Sequence, residues 1–187
     1  MVRRDDRGES LSSPQGPGLV WFRRDLRLDD NPAWAAATAA HDEVVALFVL
    51  EPRLLDAAGS KRRDQLLAHV AALDEELQER GGCLSVRTGP AADAVPKAVA
   101  DAGASTVYVN ADVTPFSVAR DEATFASIDV AVETFHGLFV HEPGKVLTRA
   151  GEVSQVFTPF YKTWKDTALT AWPEAGSAAA ANDGKTR

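Results

Sequence analysis

The chain of 187 residues contains one cysteine, one methionine and two tyrosines, and nowhere do eighteen apolar residues run together. Cys83 alone cannot close a disulfide within the chain, and no Cys/Cys or Cys/His pair has zinc-ligand spacing, so a disulfide scaffold and a structural zinc site are excluded. No membrane span is expected without a long apolar run, and MVRRDDRGESLSSPQGPG has the charge of a leader but no apolar core. A cytoplasmic location in a reducing compartment is the expectation. Positive charge is also short: Lys+Arg 20 against Asp+Glu 27 leaves −7, opposite in sign to a surface built to neutralise nucleic-acid phosphates. There is no Gly-x-Gly-x-x-Gly after the first apolar run and no Gly-x-x-x-x-Gly-Lys-Ser/Thr anywhere, which removes the standard dinucleotide and P-loop readings. No Gly-x-Ser-x-Gly elbow is present, and His41, His69, His136 and His141 are scattered without ligand spacing. No metal site and no catalytic residue is therefore assigned.

What is present is an ordinary folding composition, 45% hydrophobic and 25% charged, in a length that suits one domain. Short apolar runs recur at Gly18–Phe22, Val44–Leu50, Leu84–Arg87, Thr106–Asn110 and Val130–Phe135. Several are continuously apolar, as strands covered on both faces are. Helical patterns separate them. Asn31 is an N-cap with Pro32 at the first helical position; Ser60 opens a segment with Leu66, Val70, Leu73 and Leu77 on one face and Gly81 as its stop. Ala91–Ala102 and Pro115–Ser127 supply two more. Strand alternating with helix predicts an α/β fold: a Rossmann-like open parallel five-stranded sheet with helices on both faces, over residues 18–145. Residues 1–17 are polar and rich in breakers and are read as a tail, and 146–187 as an extension and interdomain linker.

In such sheets ligands lie at the carboxyl ends of the strands, so the loops there are where chemistry is sought. The first strand is followed by RRDLRLDDN, either a solvated charge cluster or a polar ligand loop. After the second, Arg53, Lys61, Arg62 and Arg63 approach a helix start, where basic residues oppose the dipole. After the fourth, Asn110, Asp112, Thr114 and Phe116 offer hydrogen-bonding and stacking groups, or only turn bonds. Phe157, Phe160, Tyr161 and Trp164 read as core or interface aromatics rather than a cofactor box.

LVWFRRDLRLDDN, from Leu19, resembles the opening signature of the DNA photolyase and cryptochrome family. LFVLEPRLL from Leu47, NADVTPFSVARD from Asn110 and VFTPFYKTWK from Val156 follow in the family's order. The resemblance implies an N-terminal α/β domain that holds a light-harvesting antenna chromophore. The partner it implies is a C-terminal helical domain that binds FAD and, through it, damaged DNA. That domain is absent from this chain, so no flavin-binding or catalytic residue is carried over and the chain alone is expected to be inactive.

The resemblance further implies either a deazaflavin or a folate as antenna. NADVTPF is similar to the deazaflavin-type pattern, which favours 8-hydroxy-5-deazaflavin over methenyltetrahydrofolate. By that resemblance Asp112 hydrogen-bonds the chromophore, Phe48 and Leu50 pack its ring, and Arg24 and Arg62 line the pocket. The implied activity is that of a deoxyribodipyrimidine photolyase, light-driven repair of pyrimidine dimers, with a signalling cryptochrome as the first alternative. A non-enzymatic nucleotide-binding module is the second. An exposed apolar patch around Val156–Trp164 is expected where a neighbouring domain would pack.

Overall fold

The apolar runs become strands because each offers residues to two cores at once. In a computed structural model, which describes residues 16–169 and residue 173, β1 (Gly18–Phe22), β2 (Val44–Leu50), β3 (Leu84–Thr88), β4 (Thr106–Asn110) and β5 (Ala131–Phe135) form one parallel sheet of order β3-β2-β1-β4-β5. Alternate residues of β1 and β2 divide between its faces. Val20, Phe22, Ala46 and Phe48 enter one core with Trp34, Val70, Leu73 and Leu77; Leu19, Trp21, Leu47 and Val49 enter the other with Ala94, Val95 and Ala98. The helices that supply those partners are α1 (Pro32–Ala40) and α3 (Ser60–Glu79) on the first face and α4 (Ala91–Ala102) on the second, where Phe125 of α5 (Pro115–Phe125) also packs.

Five strands and four helices agree with the sequence pattern to within two residues at each boundary. Asn31 caps α1 by accepting from the Trp34 N–H, and Thr114 caps α5 by accepting from the Ser117 N–H. Two helices were not legible. The short α2 (Pro52–Ala57) lies in what read as a loop, and α6 (Phe157–Asp166) lies within the segment read as linker. On α6 the rings of Phe157, Tyr161 and Trp164 stack in sequence at 5.8 and 6.2 Å, and Phe157 is 74% exposed. Tyr161 is exposed too, whereas Phe160 and Trp164 are half-buried, so the expected apolar patch is narrower than the full aromatic set.

Residues 1–15 of the expected tail lie outside the described residues, but Gly16 and Pro17 are tied in. The Gly16 carbonyl accepts from His41 Nδ1, which leaves His41 Nε2 to accept from the Tyr108 hydroxyl at 2.9 Å. Ser105 N–H donates to the Pro17 carbonyl. Gly18 is required by packing, since a Cβ there would stand 2.8 Å from the His41 ring. No helix among the described residues is long and apolar enough to cross a membrane.

Candidate functional site

Strand order reverses between β1 and β4, and the chain braces that crevice with buried polar groups. Asn110, the last residue of β4, donates to Asp25 Oδ2 at 2.6 Å and to Asn31 Oδ1 at 2.7 Å, both in the loop after β1. Its own Oδ1 accepts from the Ala33 N–H at the start of α1. Arg23 reaches the other way, donating to the Asn110 carbonyl and to Asp121 of α5. The RRDLRLDDN loop is thus neither a solvated cluster nor wholly a ligand loop. Arg23, Asp25 and Asn31 are buried bracing, Arg27 donates to Asp30 and the Gly137 carbonyl, and Arg24 is left facing outward.

Beside this brace, at the carboxyl ends of β1, β2 and β4, lies an open cavity of about 450 Å³. Arg24, Phe48, Leu50, Arg62 and Asp112 all line it, so the structure brings together all five residues singled out from sequence. Phe48 is nearly buried, and Leu50 is half-buried at the end of its strand. Arg62 and Arg63, in the first turn of α3, stand exposed on the rim with no ion-pair partner among the described residues. The chemistry of the surface is therefore an apolar floor under a cationic rim.

Asp112 is already well used. It accepts from Arg24 Nη1 at 3.1 Å, from the Ser117 hydroxyl at 3.0 Å and from the Thr114 N–H at 3.1 Å. Burial alone would raise its pKa, but the Thr114, Arg24 and Ser117 bonds outweigh that and hold the carboxyl at about 2. Arg24 spends one donor on this pair and keeps the rest over the cavity mouth, its side chain 64% exposed. A pH dependence follows from the sign. A carboxyl at about 2 when folded and near 3.8 when unfolded adds stability that is complete above pH 5 and lost as pH falls from about 4 through 2. The loss is about 2 kcal/mol. Thermal melts between pH 6 and pH 2 should show this component in the wild type and lack it in Asp112→Ala; equal pH slopes would contradict it.

Sequence reasoning missed how the cavity's far wall is made. The Phe116 ring lies 4.8 Å from the Arg53 guanidinium and 5.8 Å from that of Arg120. Arg120 also lies 5.1 Å from the Trp21 ring, over which Arg23 sits at 4.9 Å. Guanidinium and ring alternate along this column, and its members are spread over β1, the loop after it, α2 and α5, a juxtaposition no single motif encodes. Glu51 was also passed over. It stands directly after the apolar run of β2, before Pro52, where an acid at a strand's carboxyl end was the available signal. Among the described residues no group of three or more His, Cys, Asp or Glu is placed to hold a metal ion.

Comparison with known proteins gives the same family from sequence and from shape. The DNA photolyase family model matches residues 18–178. The deoxyribodipyrimidine photo-lyase of Agrobacterium fabrum is 32% identical over 156 residues, 81% of this chain and 32% of its own length. Cryptochrome-1 of Arabidopsis thaliana is 34% identical over 153 residues, 79% of this chain and 22% of its own length. An uncharacterized 31.6 kDa protein of Synechococcus is 35% identical over 78% of this chain and 53% of its own length. The crystal structure of a bacterial class III photolyase from Agrobacterium tumefaciens superposes with a TM-score of 0.78 at 29% identity, over 95% of this chain and 37% of that one. The chain thus spans between about a fifth and about half of the length of these relatives.

Proposed function

The chain belongs to the DNA photolyase family, and from that premise we propose that it is the light-harvesting α/β domain of a deoxyribodipyrimidine photolyase. Its partner in this reading is an FAD-binding helical domain, through which damaged DNA is reached. The observation that carries the antenna role is the cavity at the switch point. The loop after β1, the first turn of α3 and the loop after β4 deliver Arg24, Arg62 and Asp112 over a floor of Phe48 and Leu50, at the edge where open parallel sheets take ligands.

The residues fit a planar heteroaromatic antenna. A volume of about 450 Å³ lies in the range of small-molecule sites. The Phe48 and Leu50 side chains give an apolar bed for a ring. Asp112, itself satisfied, fixes the Arg24 guanidinium, and Arg24 and Arg62 donate to ring carbonyls or a phenolate. When bound, the chromophore supplies absorption of blue light and passes the excitation to a flavin. Of the two antenna classes, the NADVTPF pattern favours 8-hydroxy-5-deazaflavin over methenyltetrahydrofolate. A cryptochrome-type photoreceptor is the second reading, favoured by an identity to Cryptochrome-1 as high as that to the photo-lyase.

Titration of the chain with 8-hydroxy-5-deazariboflavin, followed by ligand fluorescence, tests this. Asp112→Ala frees Arg24 from its fixed position and should weaken binding by about 1–3 kcal/mol, roughly tenfold to a hundredfold. Equal affinity for both proteins would remove Asp112 from the site. Tighter binding of methenyltetrahydrofolate would replace the deazaflavin with the folate.

A further inference from the structure

The wall of the cavity at the strand ends is nearly free of side chains that give up an electron. Among the described residues that line it there is no tyrosine, cysteine, methionine or histidine, and Phe22, Phe48 and Phe116 supply its other aromatic rings. Trp21 is the exception, and an indole is the most readily oxidised of the ordinary aromatic side chains. Trp21 is 2% exposed, and two guanidinium groups lie over its ring, that of Arg23 at 4.9 Å and that of Arg120 at 5.1 Å from the ring centre. Both arginines line the same cavity.

A guanidinium over a neutral indole is attracted by the negative face of the ring. If the ring loses an electron it becomes a cation, and the attraction turns into repulsion. Arg23 and Arg120 share one carboxylate, Asp121, so this group of three leaves one positive charge uncompensated beside the ring. A unit charge about 5 Å away, at an effective dielectric constant of about 20, opposes the oxidised indole by about a hundredfold in its equilibrium. The one oxidisable side chain on the wall is thus held where its oxidation is hardest.

A light-harvesting site has to hand on excitation and not electrons. A photoexcited heteroaromatic ring is a one-electron oxidant toward indole, so an unguarded tryptophan on the wall dissipates the excitation. We propose that Arg23 and Arg120 insulate Trp21 electrostatically, which keeps the indole from quenching the excited chromophore. The step they suppress moves one electron from the Trp21 ring to the excited chromophore and then back, with no bond made or broken and no proton released. This inference rests on the antenna reading of the cavity and adds to it a role for the column of guanidiniums and rings.

The fluorescence lifetime of 8-hydroxy-5-deazariboflavin bound to the chain, or of methenyltetrahydrofolate if that binds in its place, reads this quenching. Weaker affinity changes the bound fraction and not the lifetime of what is bound. Arg120→Gln removes the uncompensated charge and leaves Asp121 paired with Arg23, and should shorten the lifetime several-fold. Arg120→Lys, which keeps the charge, should stay close to wild type. Adding Trp21→Phe to Arg120→Gln should restore the wild-type lifetime, which a merely structural disturbance of the wall would not do. An unchanged lifetime in Arg120→Gln, or a shortened one that survives Trp21→Phe, would overturn the proposal while leaving the antenna reading intact, since the chromophore is bound in each case. A several-fold longer lifetime in Trp21→Phe alone would overturn it as well, because Trp21 would then already quench in the wild type. Failure of the wild type to bind either chromophore would overturn both readings. If Arg120→Gln does not fold, Arg120→Met, neutral and close in length, carries the same comparison.

Discussion

Replacing Asp121 with alanine is expected to lower stability by about 3–5 kcal/mol, because it leaves a buried guanidinium without its counter-charge. The Arg23 side chain is 6% exposed and pairs with Asp121 across the gap between the loop after β1 and α5. Arg120, paired to the same carboxylate at 2.8 Å, keeps its ring contacts when Asp121 is lost; Arg23 does not gain water. In a thermal melt the loss should read as a drop on the order of 10 °C. Asp121→Leu combined with Arg23→Met should recover much of it, since removing both partners removes the uncompensated charge. A loss below about 1 kcal/mol in the single variant, the size of an exposed pair, would contradict a buried brace at this position.

Phe48→Ala should cost about 3–5 kcal/mol, the range for emptying a buried aromatic site. Phe48 lies on β2, between β1 and β3, and packs in the core that holds Phe22, Trp34 and Leu73. It is also the floor of the cavity, so its loss should lower both stability and chromophore affinity. Leu50, half-buried at the strand's end, provides the contrast: Leu50→Ala should weaken binding while costing much less stability. Urea denaturation of the two variants separates these effects. Equal stability losses would show that Phe48 is not the core member its burial indicates.

The sheet was legible because both of its faces are covered. A strand buried on two sides has no polar alternation to hide it, and GLVWF and VVALFVL stand out against the helical patterns between them. Helix starts were legible where a side chain does the capping, as at Asn31. The ends that lack such a signal slipped: Pro115 begins α5 as expected, but the helix stops at Phe125 rather than Ser127. The helix α2 was missed because it has only six residues and buries none of them, leaving no periodicity to detect.

The site was legible in part for the same kind of reason. Residues next to a strand's end are fixed by the strand, so Arg24 and Asp112 stood out as candidates from the elements, whereas Phe48 and Leu50 were implied only by the family resemblance. How these residues divide the work was not legible. Whether Asp112 faces a ligand or another side chain depends on Arg24, which is 88 residues away in sequence. Arg23 and Arg24 both line the cavity, but one residue of register at the end of β1 gives them different partners, Asp121 and the Asn110 carbonyl for Arg23 and Asp112 for Arg24.

The central claim is that the cavity at the switch point holds the antenna chromophore, and a crystal structure of the chain grown with 8-hydroxy-5-deazariboflavin tests it most directly. The result expected is ring density lying on Phe48 and Leu50, with Arg24 and Arg62 at its polar edge. Density found only on the exposed aromatic face of α6, or only in the cavity beyond Phe116, would contradict it.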